Sequence, residues 1–478
     1  MMRFSVLLIN MVLLISCSSG DVKNETNNST EDTNKTVVVN YDNTLAKGKL
    51  LDTILCKNQP DQSYALYLPS YYNSGKAFPC IFFFDAHARG TLPLKTYQYI
   101  AEKYGFILIG SNISKNGMQW DQASSVANAM ISDARSRINI DPKQIYVAGF
   151  SGGARVASNL ALQNGDIAGV ISCAAGMPAN QSAQRTFDYV GMVGVFDFNH
   201  NELVHTDAML EQNGFQHQLL TFSGKHAWPP ASDFETALLW IQANAIKENR
   251  QPPNDTIFNL LDKNYNKEIS AAEKAKDFIK EERLLTGLIK TANDKVVDGA
   301  ALTEQLSNLK NKQEYKTALA VQQQILQEEQ NQQQALAQEF TQHDGKWWDA
   351  KIAELKHNSS KAKTPQEAQM YQRLVNFLGL ICYLNIDHAL NTNDISNVPG
   401  YLKVFKAVDP QNPDYAYLSA IYYMKQNNAQ QAITSLHTAA SLGYDDIAQL
   451  QTNPTFASLK NEPGFVDVLN KVTKNIAQ

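Results

Sequence analysis

Between about Lys47 and Arg250 the sequence alternates two kinds of apolar pattern, and this alternation constrains the fold more than any other feature. Short runs at Tyr64–Leu68, Cys80–Phe84, Phe106–Ile109, Ile145–Ala148, Gly169–Cys173, Val190–Val195 and Gln218–Phe222 are mostly apolar without a break. A strand that is apolar at successive positions is covered on both faces, as the central strands of a parallel sheet are. The gaps carry longer stretches with helical spacing, such as Ala123–Ile138 and Ala154–Gln163. Parallel neighbours need a long crossover, which a helix supplies. The expected fold class is therefore α/β, a mostly parallel sheet flanked by helices, over residues 45–250.

After Pro252-Pro253 glycine becomes scarce, strand-like runs vanish, and Gln, Lys, Glu, Ala and Leu dominate. A proline disfavours helix at the residue before it, so the pair makes a natural boundary. Everything beyond reads as helix: a first helical region at 251–365, which includes the Gln-rich stretch Val321–Gln338, and a repeat-like region at 366–478. Within the latter, Ala420, Tyr423, Ala432, Leu436 and Ala439 match the small and large positions of a helix pair, and the segment resembles tetratricopeptide arrays. That resemblance implies a concave face for a protein or peptide partner; a packed appendage without a ligand stands beside it. Asp262–Glu273 imitates a calcium loop, but its sixth position, which needs glycine, is Lys267. A helix connection is the better reading, and no metal site or cofactor is expected.

The chemistry concentrates at Gly149-Phe150-Ser151-Gly152-Gly153, which follows the run Ile145–Ala148 and opens the helix at Ala154. A serine on a tight strand-to-helix turn projects its Oγ at the carboxyl edge of the sheet, while the N–H of the next residue, here Gly152, faces a developing oxyanion. A serine hydroxyl is a weak nucleophile and needs a base oriented by a third group. The order serine, acid, histidine along the chain fits Asp197, at the end of the run Val190–Val195, and His226, in the loop after Gln218–Phe222. Glu202 is the reserve acid. A second oxyanion donor belongs in the loop Asp85–Gly90, where the backbone N–H of Ala86 or His87 is the candidate. Trp120 and Trp228 stand as acyl-pocket walls or as packing against the sheet.

The elbow, the FFFDAHARG loop and the His-x-Trp-Pro of His226–Pro229 together resemble the α/β-hydrolase superfamily, nearest to secreted esterases of the polyhydroxybutyrate-depolymerase, feruloyl-esterase and dienelactone-hydrolase kind. The resemblance implies hydrolysis of carboxylic esters through an acyl-enzyme on Ser151, without a cofactor. Peptidases share the fold, so an amide substrate stays open, as does a tethered interaction module acting through the helical half. Where such esterases often carry His-Gly-Gly, this chain has Asp85-Ala86-His87.

The first residues give an address. Arg3, a short apolar run and the ending Leu14-Ile15-Ser16-Cys17 describe an export signal, too short to span a bilayer, whose end resembles the lipobox of bacterial lipoproteins. Residues 1–17 are expected to be that signal, with Cys17 lipidated, and the Asn/Thr/Ser-rich stretch 18–44 a tether. This places the protein in a bacterial cell envelope, anchored to a membrane and facing away from the cytoplasm. Cys56, Cys80, Cys173 and Cys382 remain; a Cys56–Cys80 bridge is left open, and no disulfide framework is expected. With 42 basic against 47 acidic residues, nothing calls for a nucleic-acid partner.

Overall fold

The computed structural model describes residues 41–178, 186–293 and 295–477. Cys17, the export signal and most of the expected tether lie outside the described residues. Eight strands form one sheet: β1 (Leu50–Cys56), β2 (Gln59–Tyr67), β3 (Phe78–Phe84), β4 (Ile107–Ser111), β5 (Ile140–Phe150), β6 (Ile167–Cys173), β7 (Asp188–Gly194) and β8 (His217–Phe222). Their order is β1-β2-β4-β3-β5-β6-β7-β8. The two pairings made by β2 are antiparallel and the rest are parallel.

The side-chain alternation of the strands divides the core between the two faces. Ile81, Phe83, Ala148, Ile171 and Met192 point to one face, where α1 (Thr91–Tyr104) and α5 (Ala231–Lys247) cover them. Phe82, Phe84, Val147 and Val170 point to the other, beneath α2 (Trp120–Arg137), α3 (Gly152–Gln163) and α4 (His200–Gln212). Both faces are therefore dry, which is why the strand sequences show no polar alternation. β1 lies outside the runs expected to be strands, because it is an edge strand with irregular register and several exposed positions.

The helical half is divided between two cores. Helices α6 (Asp255–Ala275), α7 (Phe278–Thr291) and α8 (Gly299–Asn311) extend the first core through Leu261, Tyr265, Leu285, Leu288 and Leu309. A second core gathers side chains from α10 (Gly345–Lys361), α11 (Pro365–Thr392), α12 (Val398–Val408), α13 (Pro413–Lys425), α14 (Ala429–Ser441), α15 (Ile447–Thr452) and α16 (Pro463–Ala477). The 27-residue α9 (Gln313–Glu339), which holds the Gln-rich stretch, joins them: Tyr315 is buried in the first core and Leu336 in the second. Asp262–Glu273 lies inside α6, so its carboxylates are spread along a helix and cannot wrap a cation. Ala420, Ala432, Leu436 and Ala439 are buried where α13 and α14 pack. No helix of the described residues is long and apolar enough to cross a membrane.

Candidate active site

The turn between β5 and α3 is as tight as its glycines suggest. Ser151 sits there with φ +54° and ψ −119°, in backbone space that side chains rarely occupy. A Cβ at Gly149 would lie 2.1 Å from the Gly153 carbonyl oxygen, and one at Gly153 would lie 2.0 Å from that of Phe84. At Gly152 it would meet Asn116 Oδ1 at 1.8 Å. Glycine at these positions lets the elbow press against the end of β3 and a neighbouring loop. Ser151 Oγ makes no capping bond to α3. The Gly152 N–H opens that helix, among the amides that helix geometry leaves without an intrahelical partner.

The acid and the histidine come together. His226 Nδ1 lies 2.9 Å from Asp197 Oδ1 and 3.0 Å from Oδ2, and the Asp197 side chain is fully buried. Asn199 N–H donates to the same carboxylate at 2.8 Å, fixing its rotamer. The two loops approach closely because Gly194 lacks a side chain: a Cβ there would lie 2.4 Å from the Gly224 oxygen and 2.5 Å from that of Lys225. The imidazole is held between the rings of Phe198, stacked at 4.3 Å, and Phe150, at 4.8 Å. Phe150 directly precedes Ser151, so the histidine sits against the elbow. Among the described residues no hydrogen bond joins Ser151 to His226. Glu202 is elsewhere, accepting from Arg155 Nη2 at 2.8 Å and from Gly176 N–H at 2.9 Å.

This is the α/β-hydrolase fold. No family model matches the chain, and no curated protein matches it. Among solved structures, the fluorophosphonate-binding serine hydrolase F of Staphylococcus aureus is 14% identical, over 41% of this chain and 99% of that one, with a TM-score of 0.34. A ferulic acid esterase is 15% identical over 40% of this chain and 94% of its own, with a TM-score of 0.31. A truncated carbohydrate esterase from gut microbiota is 14% identical, covering 38% and 90%, with a TM-score of 0.32.

Of the two candidate donors in the loop after β3, the His87 N–H is engaged by Asp85 Oδ1 at 2.8 Å in a local turn, which favours Ala86. Asp85 is the hub of this loop. Its buried carboxylate also accepts from Arg89 Nε at 2.9 Å and from Trp228 Nε1 at 2.8 Å. Burial pushes this carboxyl upward, but Arg89, Trp228 and the His87 N–H outweigh it and hold it below the ordinary aspartate value. Trp228 thus ties the loop of His226 to the loop after β3, and its ring packs against Phe83, Tyr97 and Phe150. Trp120 opens α2 and packs on the sheet's other face. Sequence reasoning also missed Asn116, whose N–H donates to the Ala86 carbonyl at 2.8 Å while its side chain lies over Gly152.

Proposed function

We propose that this chain is a serine hydrolase that cleaves carboxylic esters through an acyl-enzyme on Ser151. The observation that carries the reading is the Asp197–His226 hydrogen bond at the carboxyl edge of the sheet, with the imidazole packed against the residue before a strained serine. Asp197 accepts from Nδ1–H and leaves Nε2 as the base. Nε2 takes the Ser151 proton as Oγ attacks the ester carbonyl, then returns it to the departing alcohol. The N–H groups of Gly152 and Ala86 receive the oxyanion; losing one such donor typically costs about 2.7–4 kcal/mol in the transition state. Water, activated by the same imidazole, releases the acid.

A fluorophosphonate probe tests this reading directly. The wild-type chain is expected to be labelled and Ser151→Ala to be blank; equal labelling of both would sink the assignment. Comparison of p-nitrophenyl esters with peptide anilides separates esterase from peptidase. The same proposal tethers the enzyme in a bacterial cell envelope through Cys17, supported by the short apolar start and the Leu-Ile-Ser-Cys ending. Cys17→Ser is expected to move the protein from the membrane to the soluble fraction, and retention on the membrane would overturn the anchor.

A further inference from the structure

The backbone hydrogen bonds of the loop that carries Asp197 divide between the two halves of the chain. Its amides bond within the hydrolase half: Val195 N–H to the Phe222 carbonyl at 2.9 Å, Phe196 N–H to that of Gly224 at 2.9 Å, and Asp197 N–H to that of Gly194 at 3.0 Å. The Asp197 carbonyl accepts from His200 N–H at 2.9 Å. The neighbouring carbonyls are taken by side chains from far along the chain. Arg373 Nη1, on α11, donates to Val195 at 3.1 Å, and Asn376 Nδ2, one turn on, donates to Phe196 at 2.6 Å. Gln333 Nε2, on α9, donates to Phe198 at 3.3 Å.

These donors are themselves held. Arg373 is buried and fixed by Glu329, with Nε–Oε1 at 2.8 Å and Nη2–Oε2 at 2.6 Å. The helical half also reaches the flanking loops. Asp409 accepts from Lys225 Nζ at 2.8 Å, one residue before His226, and Asp445 accepts from Arg89 at 3.2 Å on the oxyanion loop.

We propose that Arg373, Asn376 and Gln333 are positioning residues for the active site, so that the helical half sets the orientation of Asp197 and, through it, of His226. The inference rests on the serine-hydrolase reading above. The Phe198 ring stacked on the imidazole provides a second route, because its carbonyl is the one Gln333 holds. None of the donors touches the reacting atoms. Their loss leaves loop carbonyls to find water, and the loop shifts to allow it. A misplacement of about 1 Å at a reacting group costs roughly 100-fold in rate.

The test uses the full chain with Asn376→Ala and, separately, Gln333→Ala. Two readouts are followed: kcat and KM on a p-nitrophenyl ester, and the downfield proton resonance of His226 Nδ1–H, which reports the bond to Asp197 without any substrate. Asn376→Ala is expected to lower kcat roughly 10- to 100-fold with KM within about twofold, and to shift or broaden the resonance. Wild-type kcat and an unmoved resonance, alongside a lowered melting temperature, would make Asn376 a mere domain tether and overturn the proposal. Should Asn376→Ala not fold, Gln333→Ala at the half-buried edge of α9 decides on the same criteria. If the wild type takes no fluorophosphonate and turns over no ester, the enzyme reading fails, yet the resonance still decides whether the helical half orients the pair.

Discussion

Removing one partner of the Arg373–Glu329 pair should destabilise the helical half severely, and removing both should not. The side chains are 3% and 0% exposed, and they share bonds at 2.8, 3.1 and 2.6 Å. Burial raises the Glu329 carboxyl even with the guanidinium beside it, which marks how little water reaches the pair. Deleting one partner of such a pair leaves an uncompensated buried charge and costs about 3–5 kcal/mol. For a cooperative unit of roughly 150 residues, each kcal/mol moves the melting temperature by about 2–4 °C, so Glu329→Gln or Arg373→Met should lower it by about 6–20 °C. Arg373→Met with Glu329→Leu removes both charges and fills the space, which is typically neutral or stabilising by about 1–4 kcal/mol. Calorimetry on the single and double variants measures this. Singles that shift the transition by no more than about 2–4 °C, or a double variant as unstable as the sum of the singles, would refute the argument that the pair is dry.

Asp197→Asn keeps the shape of the side chain but loses the carboxylate that, in the proposed mechanism, selects the imidazole tautomer. Ester turnover should fall by about 10⁴-fold, while Glu202→Gln, which loosens only Arg155 and Gly176, should stay within about threefold of wild type, as stopped assays on both will show. His200 gives a pH signature. Burial, followed by the charges of Arg373 and Arg283, holds its imidazole well below the ordinary value of 6.5, and its Nδ1 has no partner among the described residues. The unfolded chain therefore binds a proton that the native state refuses, and stability should drop as pH falls below about 6.5. Denaturant midpoints at about pH 8 and pH 5 should converge in His200→Gln; an unchanged pH slope would remove His200 from the account.

The sheet was legible because parallel strands bury both faces, so their sequences carry long apolar runs that few other structures need. Ser151, Asp197 and His226 could be named as candidates because each stands just beyond a strand's end, and the structure brings the last two into hydrogen-bond contact. The choice between Ala86 and His87 turns on a local feature: an aspartate two residues upstream takes the His87 N–H, a signal present in the sequence as Asp85-Ala86-His87. Asn116 left no such mark, since only the folded chain brings it over Gly152. Arg373 and Asn376 act on carbonyls 178 and 180 residues away, so no local pattern could reveal them.

The Gln-rich stretch, expected to be helical from its good helix formers, forms most of α9, and most of its side chains are exposed. Yet α9 is pinned at Tyr315 in one core and at Leu336 in the other, and between them it turns Glu329 to Arg373 and Gln333 to the Phe198 carbonyl. Those two residues share a face because they are four apart. Inserting a single residue before Glu329 would rotate everything beyond it by about 100° relative to Tyr315. Leu336 would then leave its core, or Tyr315 its own, and the register that brings Arg373 to the acid loop would be lost. Glutamine suits the exposed positions because it forms helix well without adding charge, so its identity there is loosely constrained. The length of the run is constrained tightly, because it is the distance between two cores expressed in helical turns.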